Sequence, residues 1–407
     1  MQLYSDLIAE VKRMSIRDQA GTEFDNEIKA GINESIFRIA RETPWKQLRR
    51  LDTFDTKTSY TTGTGAVTVV NGSKSVTVTG ATLLSDSVEI GRRCSLGGSN
   101  LRYTVKTITS ETQFTVDLNY DGTSSTSQTY KIWPKEEYAL PVQCGHVGVL
   151  YHEAFNYPYV MKYLPSLEFW QSSTTMFYSA VPIYYREWTT DMVIRQPNTA
   201  SAVTIVSSSA SDTTQTVTIF GIVSGYPDQE TISLNGVSNA TGTKLFSNID
   251  RIAKNATTIG RVTCTTNTGY VTVAVLPTGD STAGIMYKKV RLWPLPSVVF
   301  PMNVWYYKEP WRLVNDNDIH ELGQEFDHAI ILLTTAKIRY QNNSKEGDRF
   351  MAMYSDEIKS LKRYNGDKLD YLNILKRPEE SRFLGNGIHP QVLYNQLGGN
   401  FGNQSYR

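Results

Sequence analysis

The hydrophobic and polar positions of the chain follow two different periods, and the period changes at defined places. In the first fifty residues, apolar side chains recur every three or four positions, for example in Leu3, Leu7 and Val11. This spacing predicts two amphipathic helices separated by a polar break. Asp25 is placed to cap the second helix, and Pro44 is placed to end it.

Two long stretches, 58–134 and 198–290, alternate apolar and polar residues with a period of two, which is typical of half-buried strands. In the first stretch, "AVTVVNGSKSVTVTG" places Asn71-Gly72 between two alternating runs. An Asn-Gly pair in that position predicts a tight β-hairpin. Each stretch therefore predicts a small all-β module with several short strands.

One segment inside the second stretch departs from the alternation. "GTKLFSNIDRIAKN" carries Phe246, Ile249 and Ile252 at intervals of three. This spacing predicts a short helix or turn between strands.

The helical period returns near the carboxyl end of the pattern. "DIHELGQEFDHAIILLTTAKIRY" and "SKEGDRFMAMYSDEIKSLKRY" each carry one apolar face and predict a pair of antiparallel helices. The acidic run "NDNDIHE" predicts the start of the first of them, with Asp316 or Asp318 as cap and Glu321 reaching back.

These patterns predict an α+β multidomain fold. We expect a helical bundle core, formed by the N- and C-terminal helices plus a small β-sheet, with two inserted all-β modules and an extended C-terminal arm. The predicted segments are 1–57, helical core; 58–134, first β module; 135–197, mixed core segment; 198–290, second β module; 291–365, core strand and C-terminal helices; and 366–407, docking arm.

Tryptophan and proline concentrate where the two β modules end. "YKIWPKEEYALP" follows the first module, and "RLWPLPSVVFPMNVWYYKEPWRL" follows the second. Tryptophan covers a large apolar area and proline stiffens a linker, so these segments predict the seams between modules and core. The predicted seam residues are Trp133, Pro134, Trp293, Pro294, Trp305 and Tyr307.

The last forty residues are rich in Gly and Asn, yet they carry spaced aromatic and aliphatic side chains. This composition is too polar to form a core and too apolar for an ordinary solvated tail. We expect an arm that orders on a partner and places these side chains in successive pockets. The predicted docking residues are Phe383, Leu384, Ile388, Val392, Leu393, Tyr394, Leu397, Phe401 and Tyr406.

The net charge and the spacing of cysteine and histidine reduce the number of function classes that the sequence supports. The 407 residues carry a net charge of +1, and segment 1–57 holds ten basic and ten acidic side chains, so sequence-independent DNA binding is not indicated. The three cysteines and five histidines lack metal-ligand spacing. We expect no catalytic residues, no cofactor, no metal and no membrane span, and a helix instead of a signal peptide at the start.

The two ends of the chain resemble the head–tail adaptor family of tailed bacteriophages, which includes head-completion and tail tubular protein A-like members. The resemblance is carried by "FDNEIKAGINESIFRIARETPW", "VWYYKEPWRLVNDNDIHELGQEFDHAIILLTTAKI" and "DRFMAMYSDEIKSLKR". It covers roughly residues 1–55 and 296–365, with weaker support at 136–195. The two β modules depart from the smallest members of the family and resemble Ig-like or small barrel modules of virion proteins.

This resemblance implies a structural virion protein at the head–tail junction, assembled in the host cytoplasm. It implies a ring of about twelve copies with heterologous lateral contacts. The ring would dock under the portal protein through the C-terminal arm, receive a tail tube or nozzle protein, and let double-stranded DNA pass without sequence-specific binding. The β modules would project outward toward fibres or capsid.

Two other classes stay open at this point. A fibre- or tail-associated structural protein would use the β modules as its binding surface. A virion-associated glycan hydrolase would need two carboxylates in a cleft, and no sequence pattern selects such a pair.

Overall fold

A computed structural model describes residues 2–15, 21–61, 66–86, 88–154, 157–173, 178–268, 270–278, 285–341 and 344–366. Within these ranges there are five α-helices: α1 Tyr4–Ser15, α2 Thr22–Glu42, α3 Leu167–Ser173, α4 Asp327–Tyr340 and α5 Ser344–Gly366. Short 3-10 turns at Lys46–Leu48 and Gln324–Phe326 precede β1 and α4. The helices predicted at both ends of the pattern are therefore confirmed.

The strands of the described residues fall into a barrel, a sandwich and a central pair of sheets. Their bounds are β1 Arg49–Asp55, β2 Ala66–Val69, β3 Ser75–Val78, β4 Arg93–Leu96, β5 Tyr103–Ser110, β6 Gln113–Val116, β7 Ser125–Ile132, β8 Glu137–Ala139, β9 Cys144–Ala154, β10 Tyr157–Val160, β11 Lys162–Tyr163, β12 Ser179–Ala180, β13 Tyr184–Asp191, β14 Val203–Ser207, β15 Thr216–Val223, β16 Tyr226–Ser233, β17 Ala240–Thr241, β18 Phe246–Lys254, β19 Val262–Thr266, β20 Thr272–Leu276, β21 Tyr287–Trp293, β22 Leu295–Pro296 and β23 Pro301–Lys308.

The helices α1, α2, α4 and α5 share one hydrophobic cluster. Helix α4 is buried on nearly all sides, because Ile330, Ile331, Leu332 and Leu333 are all inaccessible to solvent. An all-round apolar helix is the expected centre of such a cluster. Helix α2 approaches α4 closely at Gly31, where a Cβ atom would lie 3.1 Å from Thr334 Cγ2.

The acidic run before α4 caps a different helix from the predicted one. Helix α4 begins at Asp327, and the backbone carbonyls of Asp318 and Asp316 accept hydrogen bonds from Tyr4 N and Ser5 N at 2.9 and 3.0 Å. The run therefore satisfies the free N–H groups at the start of α1. The predicted helix start at this run was wrong, since Asp318 Oδ2 binds the backbone of its own loop, at Val314 N.

The start of α2 also differs from the prediction, while its end does not. The residue before the helix is Gly21, which makes no side-chain cap, and Asp25 lies inside the first turn. Its charge still suits that position, because the helix dipole favours acidic groups there. The helix ends at Glu42, just before Pro44, as predicted.

Two four-stranded sheets form the middle of the molecule. One has the order β1-β23-β9-β10, with all neighbours antiparallel. The other has the order β11-β13-β21-β8, in which only the β11–β13 pair is parallel. A hydrophobic cluster that includes Leu150, Val290, Leu292 and Val304 lies between them. Strands β12 and β22 form a further short parallel pair.

The first β module is a closed barrel with the strand order β2-β3-β6-β5-β4-β7. The predicted hairpin is confirmed, because β2 pairs with β3 on either side of Asn71-Gly72 and Gly72 has a φ of 77°. The connection is longer than a tight turn, since Val69 faces Val76. Inward-facing valines, tyrosines and isoleucines fill the barrel. The chain enters and leaves it side by side, because Tyr60 and Ile132 exchange backbone hydrogen bonds of 2.7 and 3.0 Å.

The second β module is a sandwich of two sheets, β17-β14-β19-β20 and β16-β15-β18. The helix or turn predicted around Phe246 was wrong, because this segment is strand β18. Two irregularities in the pairing of β15 with β18 leave Ser247 and Asp250 without partners in the register. Each bulge adds one residue to the period of two, so Phe246, Ile249 and Ile252 face the core three residues apart.

The predicted fold class, with a helical bundle core, is wrong. Strands make up 39% of the structure and helices 24%, and the helices form one of four hydrophobic clusters, not the core of the molecule. The prediction failed because the segment around 135–197 and the strands β21 to β23 build two sheets with their own core. The predicted module boundary at 290 falls inside β21, which belongs to the central sheets.

Candidate functional site

Apart from Gly366, which ends α5, the predicted docking arm lies outside the described residues. All of its named side chains, from Phe383 to Tyr406, fall in that part of the chain. The arm therefore stays a prediction.

The first predicted seam lies directly at the end of the barrel. Trp133 follows β7, its backbone N–H donates to Arg93 O at 2.8 Å, and its carbonyl accepts from Arg92 Nε at 2.9 Å. The ammonium of Lys131 lies 4.2 Å from the centroid of the indole ring. Pro134 is buried. The backbone of Trp133 thus holds the chain against the barrel as it leaves.

The second predicted seam lies inside the central sheets. Trp293 ends β21, and its ring contacts Phe169 of α3 edge-on with centroids 6.3 Å apart. Tyr287, at the other end of β21, belongs to the sandwich core. Six residues of strand span about 20 Å. Trp293 and the buried Pro294 are therefore a strand length away from the sandwich.

The two Trp-Pro segments that look alike in the sequence run side by side. Strand β8 pairs antiparallel with β21, with Val290 opposite Tyr138 and Arg291 opposite Glu137. Their similar composition is consistent with this shared position, since both strands contribute to the same buried core.

Trp305 and Tyr307 occupy the outer face of β23 and are half-buried. Tyr306 faces the core, where burial raises its pKa to about 12. The Arg49 guanidinium lies 5.1 Å from the centroid of the Trp305 ring. The alternation of Trp305 and Tyr307 against Tyr306 is confirmed, and the structure does not bring these two residues to either β module.

The sequence did not predict the charged group that joins the modules, which we call the module junction: Glu89, Arg92, Arg93, Lys135, Glu136, Arg195 and Arg291. At its centre the Glu89 carboxylate binds Lys135 Nζ and, at 3.0 Å, Arg195 Nη1. Glu89 comes from the barrel, Lys135 follows the barrel, and Arg195 precedes the sandwich. One carboxylate therefore links three parts of the chain.

Electrostatics keep this carboxylate ionised. Burial opposes the charge on Glu89, but Lys135 and Arg195 outweigh it and hold the pKa of Glu89 below its ordinary value. Burial lowers the pKa of Lys135, although Glu89 works against this shift. Buried charges are tolerated only when they are paired in this way.

Buried hydrogen bonds extend the junction on both sides of Glu89. Arg92 Nη2 donates to Thr58 O, so the same guanidinium binds the chain before and after the barrel. Asn198 Nδ2 donates to Val88 O at 3.1 Å, and Ile108 N donates to Asn198 O at 2.9 Å. The barrel is thereby tied to the entry of the sandwich.

A second carboxylate repeats the arrangement next to the central sheet. Glu136 binds Arg93 Nε at 2.8 Å and also Arg291 Nη2. The Arg291 guanidinium lies 4.4 Å from the centroid of Trp188. A sign of the module junction in the sequence is the run Lys135-Glu136, which directly follows Trp133-Pro134. Charged residues inside an apolar seam need oppositely charged partners from other segments.

Two histidines and all three cysteines of the chain are buried among the described residues. His320 is buried and binds Asp327 Oδ1 at 2.5 Å, while burial lowers its pKa. Burial raises the pKa of each of the three cysteines to about 12, which makes the thiolate nucleophile rare. In the described part of the chain, no group of three His, Cys, Asp or Glu side chains could hold a metal ion.

Comparisons with known proteins gave no relatives: no family model matches the chain, and no curated protein matches it. Among the helices of the described residues, none is long and apolar enough to cross a membrane.

Proposed function

We propose that this chain is a structural virion protein, a head-to-tail adaptor that connects the capsid vertex to the tail of a phage. What supports the proposal is that the two segments carrying the resemblance, about 1–55 and 296–365, form one continuous unit. Residues far apart in the sequence come together there, as an adaptor core would require.

Contacts within this unit are extensive. Strand β1 pairs with β23 along its whole length, from Arg49 opposite Tyr307 to Asp55 opposite Pro301. Helices α1 and α2 pack on α4 in a shared cluster. The side chain of Asn33 binds the backbone of Leu313 twice, at 3.0 and 2.7 Å. This unit would carry the lateral contacts of a ring, and the barrel and sandwich would branch from it.

In this proposal, about twelve copies form a ring beneath the portal protein. The arm 366–407 docks on the portal, the opposite edge receives the tail tube or nozzle, and DNA passes through the channel during ejection. A net charge of +1 suits a channel that does not retain DNA. The role is structural and not catalytic, and the location is the head–tail junction of the virion.

The decisive experiment mixes the purified chain with the portal protein encoded by the same genome. Mass measurement should show a portal ring that gains many copies of the chain, and electron microscopy should show a ring continuous with the portal. A variant lacking residues 381–407 should stay folded by circular dichroism and fail to join the portal. If this variant binds the portal ring normally, the docking-arm role is refuted. If the full chain does not bind the portal ring, the adaptor function is refuted.

One observation favours the alternative of a fibre- or tail-associated protein that binds through its β modules. The sandwich exposes large apolar side chains, including Tyr226 (75%), Ile259 (72%) and Tyr270 (82%). A binding surface requires such exposed apolar groups to lie together in one patch, so the alternative depends on Tyr226 and Tyr270 acting jointly. Replacing Tyr226 and Tyr270 by Ser should leave portal joining intact for an adaptor, and should abolish fibre or capsid binding for the alternative.

A further inference from the structure

The edge of the first central sheet is open at β1. This strand pairs with β23 on one side, and within the described residues no strand pairs with its other side. Its residues 49–53 are exposed on both faces, and Leu51 is 47% exposed. A long strand edge of this kind is a template for pairing with another strand.

The other long edges are protected in ways that β1 is not. The opposite edge of the same sheet, β10, has four residues and contains Pro158, which cannot donate a backbone hydrogen bond. In the sandwich, β16 contains Pro227 and β18 is bulged. Strand β1 has no proline, and its register with β23 is continuous.

The alternation of hydrogen bonds defines which backbone groups of β1 are open. Thr56 N donates to Phe300 O on the β23 side, so the backbone N–H and C=O groups of the even-numbered residues face β23. The backbone groups of Arg49, Leu51 and Thr53 therefore face away from β23, along the open edge. Two side chains cover this outer row. Asp52 Oδ1 accepts from Thr53 N at 2.8 Å, and Arg50 Nη1 donates to Arg49 O at 2.9 Å.

The charges of β1 are complementary to themselves in an antiparallel pair. The sequence "RRLDTFD" places Arg50 and Asp52 on either side of Leu51. If Leu51 faces Leu51 of a second copy, each Arg50 lies opposite an Asp52, and each Arg49 lies opposite a Thr53. Opposite charges in directly facing positions stabilise antiparallel strands.

The same register satisfies the open backbone groups. Leu51 would form a reciprocal hydrogen-bonded pair on the two-fold axis, and Arg49 and Thr53 would form such pairs on either side. Arg50 and Asp52, which cover the edge in the single chain, would be released to bind each other across the new pair. We propose that two copies of this chain associate through β1 in this register and join their sheets into one continuous sheet.

This contact goes beyond the proposed adaptor function and does not depend on it. It is isologous, so it closes after two copies, whereas a ring needs heterologous contacts. Strand pairing of this length buries an area at the low end for specific interfaces, less than about 1,200 Å², and we expect weak association in the micromolar range. It therefore describes the free chain and not the chain in a ring.

The first test measures the mass of the full chain by sedimentation over a range of concentrations. The wild-type chain should shift from one copy to two. Thr53→Pro removes an N–H that faces outward and leaves the β23 bonds intact, so it should weaken the dimer at least about tenfold without lowering the melting temperature much. A single copy at every concentration, or a dimer that Thr53→Pro does not weaken, would overturn the proposal.

The register is tested by charge exchange. Arg50→Asp and Asp52→Arg should each weaken self-association, because like charges would face each other. A mixture of these two variants, or the double variant, should dimerise again. Lys106→Asp, an exposed charge change on barrel strand β5, is the control and should have no effect. A mixture that stays monomeric would contradict the register.

A cysteine at the axis gives a direct geometric readout. Cα atoms of a hydrogen-bonded antiparallel pair lie about 5.5 Å apart, within the range that a disulfide spans. Leu51→Cys should therefore cross-link under mild oxidation, while the natural cysteines are buried and should not. Leu101→Cys, with 43% exposure at the replaced side chain, is the matched control. Equal cross-linking rates for the two variants would refute pairing through β1.

Discussion

The barrel and the sandwich have similar alternating sequences, but they differ in how their strand edges are protected and in how each module is attached to the rest of the molecule. The barrel closes on itself, so its strands have no free edge. The sandwich keeps open sheets and protects β16 with Pro227 and β18 with bulges. The alternation of side chains determines which face is buried, and it does not determine whether a sheet closes.

The two modules also differ in the contacts that attach them to the rest of the molecule. The barrel is held by the buried charges around Glu89 and Arg92. The root of the sandwich has one partly exposed ion pair, Lys289 with Asp191 at 2.7 Å, and otherwise neutral hydrogen bonds. The Gln196 amide exchanges two bonds of 2.8 Å with the backbone of Ile249, and the Tyr287 hydroxyl binds both Val275 N and Val275 O. Charged attachments should therefore respond to substitution and to pH more strongly than neutral ones.

The largest effect is expected at Glu89. Glu89→Ala leaves Lys135 and Arg195 without their shared carboxylate in a buried site, which should destabilise the attachment of the barrel by about 3–5 kcal/mol. Urea unfolding combined with hydrogen exchange in β4 and β7 measures this loss. Asp228→Ala, which breaks an exposed ion pair with Lys244 in the sandwich, is the control and should change little. Equal effects of the two changes would remove the distinction between the modules.

A smaller effect is expected for the neutral attachment. Tyr287→Phe keeps the buried ring and removes the hydroxyl, so the backbone groups of Val275 lose their partner. The cost should be about 1–3 kcal/mol, confined to hydrogen exchange in the sandwich strands β19 and β20. Faster exchange in the barrel after this change would show that the two modules unfold together.

The smallest effect is a difference in pH dependence. The folded pKa of Glu89 lies below its unfolded value, so its contribution is present above the unfolded pKa and is lost as pH falls through the folded pKa. Between pH 6 and pH 3, wild-type stability should fall more steeply than that of Glu89→Gln, by at most about 1.4 kcal/mol per pH unit for one proton. Thermal unfolding at several pH values measures both slopes, and parallel slopes would contradict the assignment.

Local features of the fold could be predicted from the sequence because local forces determine them. The hairpin at Asn71-Gly72 depends on one turn, and the end of α2 depends on Pro44. Strand β18 could not be predicted, since its bulges change the period of two to the period of three that suggests a helix. Only the pairing with β15 reveals where the extra residues lie.

The module junction could not be predicted for a different reason. Glu89 and Arg195 are 106 positions apart, and their contact exists only once barrel, linker and sandwich are all in place. The prediction of the fold class failed for the same reason, because the core between the two central sheets requires residues near 150 to pair with residues near 304. A single residue such as Trp133 can suggest a seam from the sequence, whereas ion pairs between distant segments have no local pattern.

The neighbouring ends of the barrel have a mechanical consequence. The chain enters at Tyr60 and leaves at Ile132 through a shared pair of backbone hydrogen bonds, and Lys135 N donates to Lys57 O at 3.3 Å one step further out. Tension along the rest of the chain therefore passes from Lys57 to Lys135 across this bridge and not through the barrel strands. A pull applied to the chain before Lys57 and after Lys135 therefore loads these backbone hydrogen bonds first, and the barrel strands carry it only after the bridge breaks.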